Sequence, residues 1–480
     1  MSSQAGSIVV RRIGAAALAL AVSSQAASTQ QTRPAGTITE ASIRGHMEFL
    51  ASDAMRGRGS GTEDEWRAAV YIGSQMRQWG IEPLGDAGGF VRQIDTGGVT
   101  VTAPPTLTIG DVTLTHGRQM LVQSIGNGTA NGVLASYRPG QPVTPGAFVV
   151  VPEGVTPDAG DVANAAVLLT VETPQVRSSW DTAGAQLPGT GRGRGRAGAA
   201  APGMARVVLD TASYQRIAGI AATGQPALFH VDAKPNHTWD AIGRLTGSDP
   251  AFSKEVILLT AHLDHLGVRD LGPGKDGIYN GADDDASGSI AVMELAEAIA
   301  KGLRPKRTTL FAWFGSEETG GAGARDFLQH PPVPLPQIVA NLEFEMIANR
   351  DSAVAPHTLW LTGYDCSTLG PDLAKQGAHI VADPHPEQGF FARSDNIQLA
   401  RTGVVAQTVS SFDANRKPST YHQPSDEIST VDFAHMTDAI QSMYAPVLWL
   451  ANSQYKPAWL EGKDPSKGGN CGARTGRGGQ

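Results

Sequence analysis

Three apolar runs in the second half of the chain predict buried strands that end in polar residues. The runs 256–260 and 308–314 are short and continuous, and the segment 337–347 has the same character, as expected of strands covered on both faces. Between the first two runs, apolar residues recur at helical spacing, namely Val292, Leu295, Ala296, Ile299 and Leu303,. This alternation of strands and a helix predicts an α/β fold, in which polar residues at the carboxyl ends of strands meet at one edge of the sheet.

Polar residues cluster where these predicted elements end or begin. His262 and Asp264 follow the first run, the triplet 283–285 precedes the helix, and Glu317 and Glu318 follow the second run. Close carboxylates repel one another unless a cation or a proton holds them together, and carboxylates with imidazoles are ligands of divalent metal ions. The sequence therefore predicts a metal site at this edge of the sheet.

Each cluster also has a structural interpretation when it is taken alone. His262 would be a hydrogen-bonded residue at a strand end, and Asp284 would cap the following helix, for which Asp285 is better placed. Glu317 and Glu318 would form a solvated turn. Their joint occurrence in one region favours the metal site.

Two further segments belong with these clusters. Glu345 ends the third apolar run, and the loop Ser419–Asp426 offers His422. In this order, the five motifs between about residues 256 and 432 resemble those of the co-catalytic di-zinc aminopeptidases. That family of zinc exopeptidases includes bacterial leucine aminopeptidases and glutamate carboxypeptidases. The resemblance implies an α/β fold with a mixed central β-sheet flanked by helices, of the phosphorylase/hydrolase-like type.

The resemblance also implies a set of metal ligands. His262 and Glu345 would bind one Zn²⁺, Glu318 and His422 would bind the other, and Asp284 would bridge the two. Glu345 stands where the family usually has Asp, so this ligand arm is one methylene longer. Mn²⁺ and Co²⁺ also accept such ligands.

The implied reaction is hydrolysis of the N-terminal bond of a peptide with a free amino end. Two cations about 3.5 to 4 Å apart would activate a water molecule, and Glu317 would act as the general base. Asp264 would orient His262. The alternatives are a glutamate carboxypeptidase-like enzyme, a glutaminyl cyclase-like enzyme with one zinc, and a non-catalytic binding relative.

Four residues are candidates for the substrate pocket. Arg393 and Asp395 lie in a segment that resembles the pocket lining of the family, and Asp395 would equally serve as a structural carboxylate. Tyr421 would donate a hydrogen bond to an oxyanion or simply pack. His265 is expected to support a ligand or line the pocket, with direct metal binding as the less favoured role.

The distribution of apolar, Gly and Pro residues along the chain predicts a catalytic domain that is interrupted by an insert. Residues 39–98 and 228–455 would form it, and within the first part Arg56 and Arg58 are expected to pin a loop. Residues 99–227 have short β-like runs with many Gly and Pro, and they resemble the protease-associated domain that is inserted in some members of the family.

The two ends of the chain are predicted to lie outside these domains, and one segment within the insert is predicted to be a mobile loop. Residues 1–27 have paired arginines, a short apolar core and small residues, which predicts an export signal peptide. The segment 189–203 repeats Gly-Arg and predicts a mobile loop. Residues 456–480 are rich in Gly and Lys/Arg, which predicts a disordered tail.

Composition narrows the classes of partner. The chain has 38 Lys plus Arg against 46 Asp plus Glu, a net charge of -8, which argues against nucleic acid. The predicted signal peptide implies export to the periplasm or the medium, and no later stretch is apolar enough to anchor the mature chain in a membrane. Cys366 and Cys471 are the only cysteines, and the sequence leaves open whether they pair, as it does the oligomeric state.

Overall fold

The structure is a computed structural model that describes residues 38–188 and 203–471. Its strands, numbered in chain order, are β1 (Glu82–Pro83), β2 (Val91–Val101), β3 (Thr106–Ile109), β4 (Val112–Thr115), β5 (Met120–Ile125), β6 (Ala130–Ser136), β7 (Phe148–Val150), β8 (Val167–Val171), β9 (Ala205–Leu209), β10 (Pro226–His230), β11 (Ala233–Leu245), β12 (Val256–His262), β13 (Gly267–Val268), β14 (Ile278–Tyr279), β15 (Thr308–Phe314), β16 (Ile338–Phe344), β17 (Leu359–Leu361), β18 (Ile380–Ala382) and β19 (Ala406–Ser410).

The helices of the described residues are α1 (Glu40–Leu50), α2 (Glu63–Gln78), α3 (Pro174–Ser178), α4 (Trp180–Gly184), α5 (Thr211–Ile220), α6 (Gly288–Lys301), α7 (Ala322–Gln329), α8 (Leu369–Lys375), α9 (Asn396–Ala400) and α10 (Phe433–Asn452). None of them has both the length and the apolar character needed to cross a membrane. The predicted signal peptide and the predicted Gly-Arg loop, apart from Gly203, lie outside the described residues.

The described chain divides into two compact units. Unit 1 comprises the residues up to Arg92 and those from Trp239 onward, and unit 2 runs from Gln93 to Thr238. The predicted insert, 99–227, falls within unit 2. Its assignment as a protease-associated domain stays a prediction.

A mixed sheet forms the centre of unit 1. Its strands follow the order β1-β11-β15-β12-β16-β19-β17-β18, with β2 also paired to β11. The pairs β15–β12, β12–β16 and β16–β19 are parallel, whereas β11–β15 and β17–β19 are antiparallel. The predicted fold class, an α/β fold with a mixed central sheet, is confirmed.

Helices cover both faces of this sheet. Ile257 and Leu259 of β12 pack into a core with residues of α1, α2, α6 and α10. Leu258, which points to the opposite face because strand side chains alternate, packs with residues of α7 and α9. Burial on both faces explains why β12 and β15 are continuous apolar runs in the sequence.

Unit 2 has its own sheet and core. Its eight strands follow the order β4-β3-β10-β6-β7-β8-β9-β5, and their inward side chains form a separate apolar cluster with Tyr214 and Ile217 of α5. A core of its own is what allows such a segment to be a compact unit.

The segment after α10 corrects one prediction. Residues 456–480 were expected to be disordered, but the described part of this segment, 456–471, packs on unit 1. Trp459 is partly buried, bridges to Ser367 and donates a hydrogen bond from Nε1 to the Gly403 carbonyl at 3.2 Å. Cys471 forms a disulfide with Cys366. Burial of one large aromatic side chain and a covalent link outweigh the Gly-rich composition of this segment.

Candidate metal centre

Parallel strands bring the predicted site residues to one edge of the sheet. His262 is the last residue of β12, Glu317 and Glu318 follow the end of β15, and Glu345 directly follows β16. Because β12 lies between β15 and β16 and runs parallel to both, all three strands end at the same edge.

His262, Asp284 and Glu345 form a first group of ligand atoms. One atom from each lies within 4.8 Å of the others, and His262 Nε2 is 3.3 Å from Asp284 Oδ1. On the other side of the imidazole, Nδ1 is 3.1 Å from the Asp264 carbonyl oxygen. A proton on Nδ1 would therefore donate to that carbonyl and leave the Nε2 lone pair directed at the group.

A second group shares Asp284 with the first. His422 Nε2 lies 3.2 Å from Asp284 Oδ2 and 3.2 Å from Glu318 Oε1. His265 Nδ1 lies 2.9 Å from the same Glu318 oxygen, and it belongs with Asp284 and Glu318 to a set of ligand atoms within 4.8 Å of one another. The structure thus places His265 among ligand atoms, whereas the favoured expectation gave it a supporting or pocket-lining role.

The chemistry of these residues fits divalent metal ions. His262 Nε2, His265 Nδ1 and Glu318 Oε1 are buried and have no hydrogen-bond partner among the described residues, although buried polar atoms in proteins are normally satisfied. Imidazole nitrogens and carboxylate oxygens are the donors that Zn²⁺ takes from proteins, and Mn²⁺ and Co²⁺ accept them as well. Cations at these positions would satisfy all three atoms.

The electrostatics of Asp284 agree with a position between positive charges. Burial alone would raise the pKa of its carboxyl group, but the close imidazoles of His262, His265 and His422 lower that pKa well below its ordinary value. Asp284 is therefore ionised in the folded chain, which is the state that a carboxylate needs in order to bind a cation.

Glu317 differs from the ligand residues. Its carboxyl group is absent from both groups of ligand atoms, and burial raises its pKa well above the ordinary value, with His262 acting against this shift and Asp395 and Glu345 adding to it. Its backbone N–H donates to Asp264 Oδ1 at 3.0 Å. Glu317 therefore lies beside the two groups of candidate ligands without belonging to either.

The loop before α2 braces this centre. Arg58 is 1% exposed, and its guanidinium donates to the carbonyl oxygens of Leu50, Leu263, Asn280 and Gly281 at 2.6 to 3.1 Å. Arg58 was expected to pin its own loop. Through these bonds it also joins the end of α1 to the loop that follows β12 and the loop that precedes α6.

Sequence reasoning missed Glu65 as a supporting residue. Its Oε2 accepts a hydrogen bond from the Gly61 N–H at 2.7 Å, and its Oε1 accepts one from the Ser316 N–H at 3.0 Å. Glu65 stands three residues after Thr62, the spacing of a capping box at a helix start. The sequence pattern therefore explains Glu65 as a helix-capping residue and gives no sign of its contact with Ser316, the residue just before Glu317.

Carboxylates around the Asp triplet also hold backbone N–H groups. Asp285 was expected to cap α6, and its Oδ1 does accept a hydrogen bond from the Gly288 N–H at 3.1 Å, but it also accepts one from the Met346 N–H at 3.1 Å. Asp426, which the sequence analysis did not single out, accepts hydrogen bonds from the Asp283 and Asp284 N–H groups at 2.9 and 3.0 Å. These bonds tie the turn Ala282–Ser287 to its neighbours.

Two of the candidate pocket residues line a cavity beside Glu345. Arg393 and Tyr421 contribute to this small cavity of about 30 Å³, which opens to solvent. Asp395 is buried outside its lining, and its role as a pocket or structural carboxylate stays a prediction. Tyr421 stacks on His422 with ring centroids 3.9 Å apart, so it connects the cavity to the ligand groups.

The parallel strands of this α/β sheet thus bring together two groups of candidate metal ligands that share one carboxylate. These features are typical of a class of metal-binding α/β proteins. Within that class, residues 240–447 match the model of Peptidase family M28. The match confirms the predicted family resemblance.

Similar proteins carry related names. The chain is 32% identical over 117 residues to an "Aminopeptidase" of Pseudomonas aeruginosa, covering 24% of this chain and 19% of that protein. It is 24% identical over 200 residues to a "Probable leucine aminopeptidase" of Trichophyton verrucosum, covering 39% and 52%. The chain thus spans about a fifth and about half of these curated relatives.

Among solved structures, the fold is similar to that of the aminopeptidase from Aneurinibacillus sp. strain AM-1. The TM-score is 0.50 at 18% sequence identity, over 88% of this chain and 96% of that one. The likeness supports the assignment of the fold.

Proposed function

We propose that this chain is a metallo-aminopeptidase that holds two divalent cations, zinc above all, and removes the N-terminal residue of peptides. The observation that supports this most directly is that Asp284 belongs to two groups of ligand atoms. Glu317 belongs to neither group and interacts electrostatically with ligands of both. The residues that would hold the cations are His262, Asp284 and Glu345 for one position, and Asp284, Glu318 and His422 for the other.

The remaining residues supply proton transfer and positioning. The cations would act as Lewis acids that polarise the scissile carbonyl and acidify a water molecule. Glu317 would take the proton of the attacking water and pass it to the leaving amine. The Asp264 carboxylate accepts a hydrogen bond from the Glu317 N–H and so fixes the backbone at Glu317. The proton acceptor is thereby held still relative to His262.

Tyr421 is suited to donate a hydrogen bond to the developing oxyanion. Burial raises the pKa of its phenol, and the charges of Asp284, Glu318 and Glu345 act in the same direction while Arg393 acts against it. The hydroxyl group therefore stays protonated in the working pH range, which a hydrogen-bond donor to an oxyanion requires.

The substitution Glu317→Gln tests the assigned base. It should leave two zinc ions per chain and lower the turnover of leucine p-nitroanilide by about 10³-fold or more, because an amide cannot accept the proton. Atomic emission measures the zinc content, and initial rates measure the turnover. Glu461→Gln, at an exposed position, is the matched control and should behave like the wild type. Retention of more than about a tenth of the turnover in Glu317→Gln would rule out this base.

Two measurements separate the alternatives. A glutaminyl cyclase-like enzyme would bind one zinc, whereas the two ligand groups here support two. A panel of peptides with free and blocked ends distinguishes an aminopeptidase from a carboxypeptidase-like enzyme, since only the former requires the free amino group. A binding relative would cleave neither set.

We also propose that the chain is exported. The disulfide between Cys366 and Cys471 is of a kind that persists in oxidising compartments, in agreement with the signal peptide predicted for residues 1–27. N-terminal sequencing of the mature protein from the periplasm or the medium tests this proposal. A mature chain that retains residue 1 and stays in the cytoplasm would contradict it.

A further inference from the structure

His265 makes an unusual contact within the second ligand group. Its Nδ1 is 2.9 Å from Glu318 Oε1 and 3.8 Å from Asp284 Oδ2. The Nδ1 atom and the Glu318 oxygen are both buried, and neither takes part in a hydrogen bond among the described residues. The short distance therefore joins two electron-pair donors, an arrangement that a cation between them would make favourable.

The backbone of His265 is held by hydrogen bonds, and its ring lies against a neighbouring loop. The His265 N–H donates to the Arg58 carbonyl at 3.0 Å, and the Ser60 N–H donates to the His265 carbonyl at 3.3 Å. On its other side the ring presses on Gly281, where an added Cβ would come within 2.6 Å of the His265 Cγ. A ring position fixed in this way is what a metal ligand needs.

Neither ring nitrogen of His265 has a partner that would fix the tautomer. Both Nδ1 and Nε2 are buried without a hydrogen bond, in contrast to His262, whose Nδ1 lies 3.1 Å from the Asp264 carbonyl. A residue that merely oriented Glu318 would donate a proton to it in hydrogen-bond geometry, and that bond is absent among the described residues.

We infer that His265 is a fourth protein ligand of the second cation, together with Asp284, Glu318 and His422. This inference rests on the two-cation centre of the proposed function. The second position then has four protein ligands, two of them imidazoles, whereas the first position has three ligands and one imidazole. Zinc sites with four protein ligands are closed, while those with three keep a coordination position open.

The two positions therefore differ in their roles. The second would bind the first equivalent of zinc, because two imidazoles and two carboxylates would supply four protein ligands. The first, formed by His262, Asp284 and Glu345, binds its zinc more weakly and keeps the open coordination position.

Zinc-edge X-ray absorption of the protein with one equivalent of zinc tests the ligand count. The wild type should show two imidazoles per zinc, from His265 and His422, and His265→Asn should show one. Competition with a chelator should show that the affinity for the first equivalent falls by more than about 100-fold in this variant, beyond the loss usual for residues that only touch a ligand. His46→Asn is the matched control, because His46 is also buried but bonds to the Tyr71 hydroxyl at 2.9 Å.

Each outcome decides one point. A single imidazole per zinc in the wild type, or an equal count in wild type and His265→Asn, overturns the inference. The wild-type count still decides if the variant fails to fold by circular dichroism. Wild-type protein that binds no zinc and leaves leucine p-nitroanilide intact would contradict the proposed function instead.

Discussion

At the scale of single residues, the centre depends on carboxylates that bind backbone N–H groups rather than metal. Asp264 is the clearest case, because its Oδ1 accepts the Glu317 N–H and its Oδ2 accepts the Ser60 hydroxyl. Its carbonyl oxygen lies 3.1 Å from Nδ1 of His262. One residue thus sets the position of a ligand, the proposed base and the bracing loop.

The substitution Asp264→Asn should therefore impair turnover more than metal binding. An amide has one acceptor oxygen in place of two, so it cannot accept from both the Glu317 N–H and the Ser60 hydroxyl, and the pair of bonds must rearrange. We expect kcat for leucine p-nitroanilide to fall about 10- to 100-fold, with both zinc ions retained. The exposed Asp270→Asn is the control, and an unchanged kcat in Asp264→Asn would contradict the positioning role.

Sequence reasoning found the candidate ligands but not their supports. His262, Asp284 and Glu318 occur in short motifs whose residue types suggest a metal. Glu65 and Asp426 bind backbone N–H groups that lie 251 and 142 to 143 residues away in the chain. Such partners exist only after folding, so nothing in the local sequence distinguishes these two carboxylates from ordinary ones.

At the scale of elements, Arg58 joins the end of α1 to the loops that follow β12 and precede α6. Replacement by Met should leave four buried carbonyl oxygens without this donor. Each buried carbonyl that loses its hydrogen-bond donor lowers the stability by about 1 to 3 kcal/mol. Because some of these carbonyls can shift towards water, we expect the free energy of unfolding to fall by about 3 to 5 kcal/mol in total.

Urea unfolding of the Arg58→Met variant measures this change. The control is Arg56→Met in the same loop, whose side chain is 61% exposed and whose replacement should change the stability by less than about 0.5 kcal/mol. Equal effects of the two substitutions would show that Arg58 does not act as the link.

Element prediction succeeded where burial was complete and failed at one helix end. The apolar run 308–314 coincides with β15 because both faces of that strand are covered. Leu303 fitted the apolar face of α6 by spacing, yet the helix ends at Lys301 and Leu303 is 87% exposed. Periodicity therefore identified the helix, whereas its end depends on the turn at Gly302, which the apolar pattern does not report.

At the scale of the whole molecule, the large core of unit 1 also buries ionisable groups away from the centre. Glu294 of α6 is fully buried and lies 3.8 Å from His46 of α1. Burial raises the pKa of Glu294 to about 7, with the charge of Glu297 adding to the shift and Ser42 and Lys301 acting against it. Such a group makes the stability of the fold depend on pH.

The sign of this dependence follows from the raised pKa. Below the ordinary value of 4.5, Glu294 is protonated in both the folded and the unfolded chain. As the pH rises from 4.5 to about 7, the unfolded chain ionises first, so the free energy of unfolding falls by up to about 3 kcal/mol. Burial lowers the pKa of the neighbouring His46, which gives a separate loss of stability towards low pH.

The variant Glu294→Gln isolates the contribution of Glu294, because glutamine stays neutral while the other ionisable groups are retained. In urea unfolding, its stability should equal that of the wild type near pH 4.5 and exceed it by about 3 kcal/mol near pH 8. Glu48→Gln, at an exposed position of α1, serves as the control and should show a much smaller pH-dependent difference. A difference between Glu294→Gln and wild type that stays constant over this range would show that Glu294 ionises at its ordinary pKa and that the core of unit 1 admits water at this position.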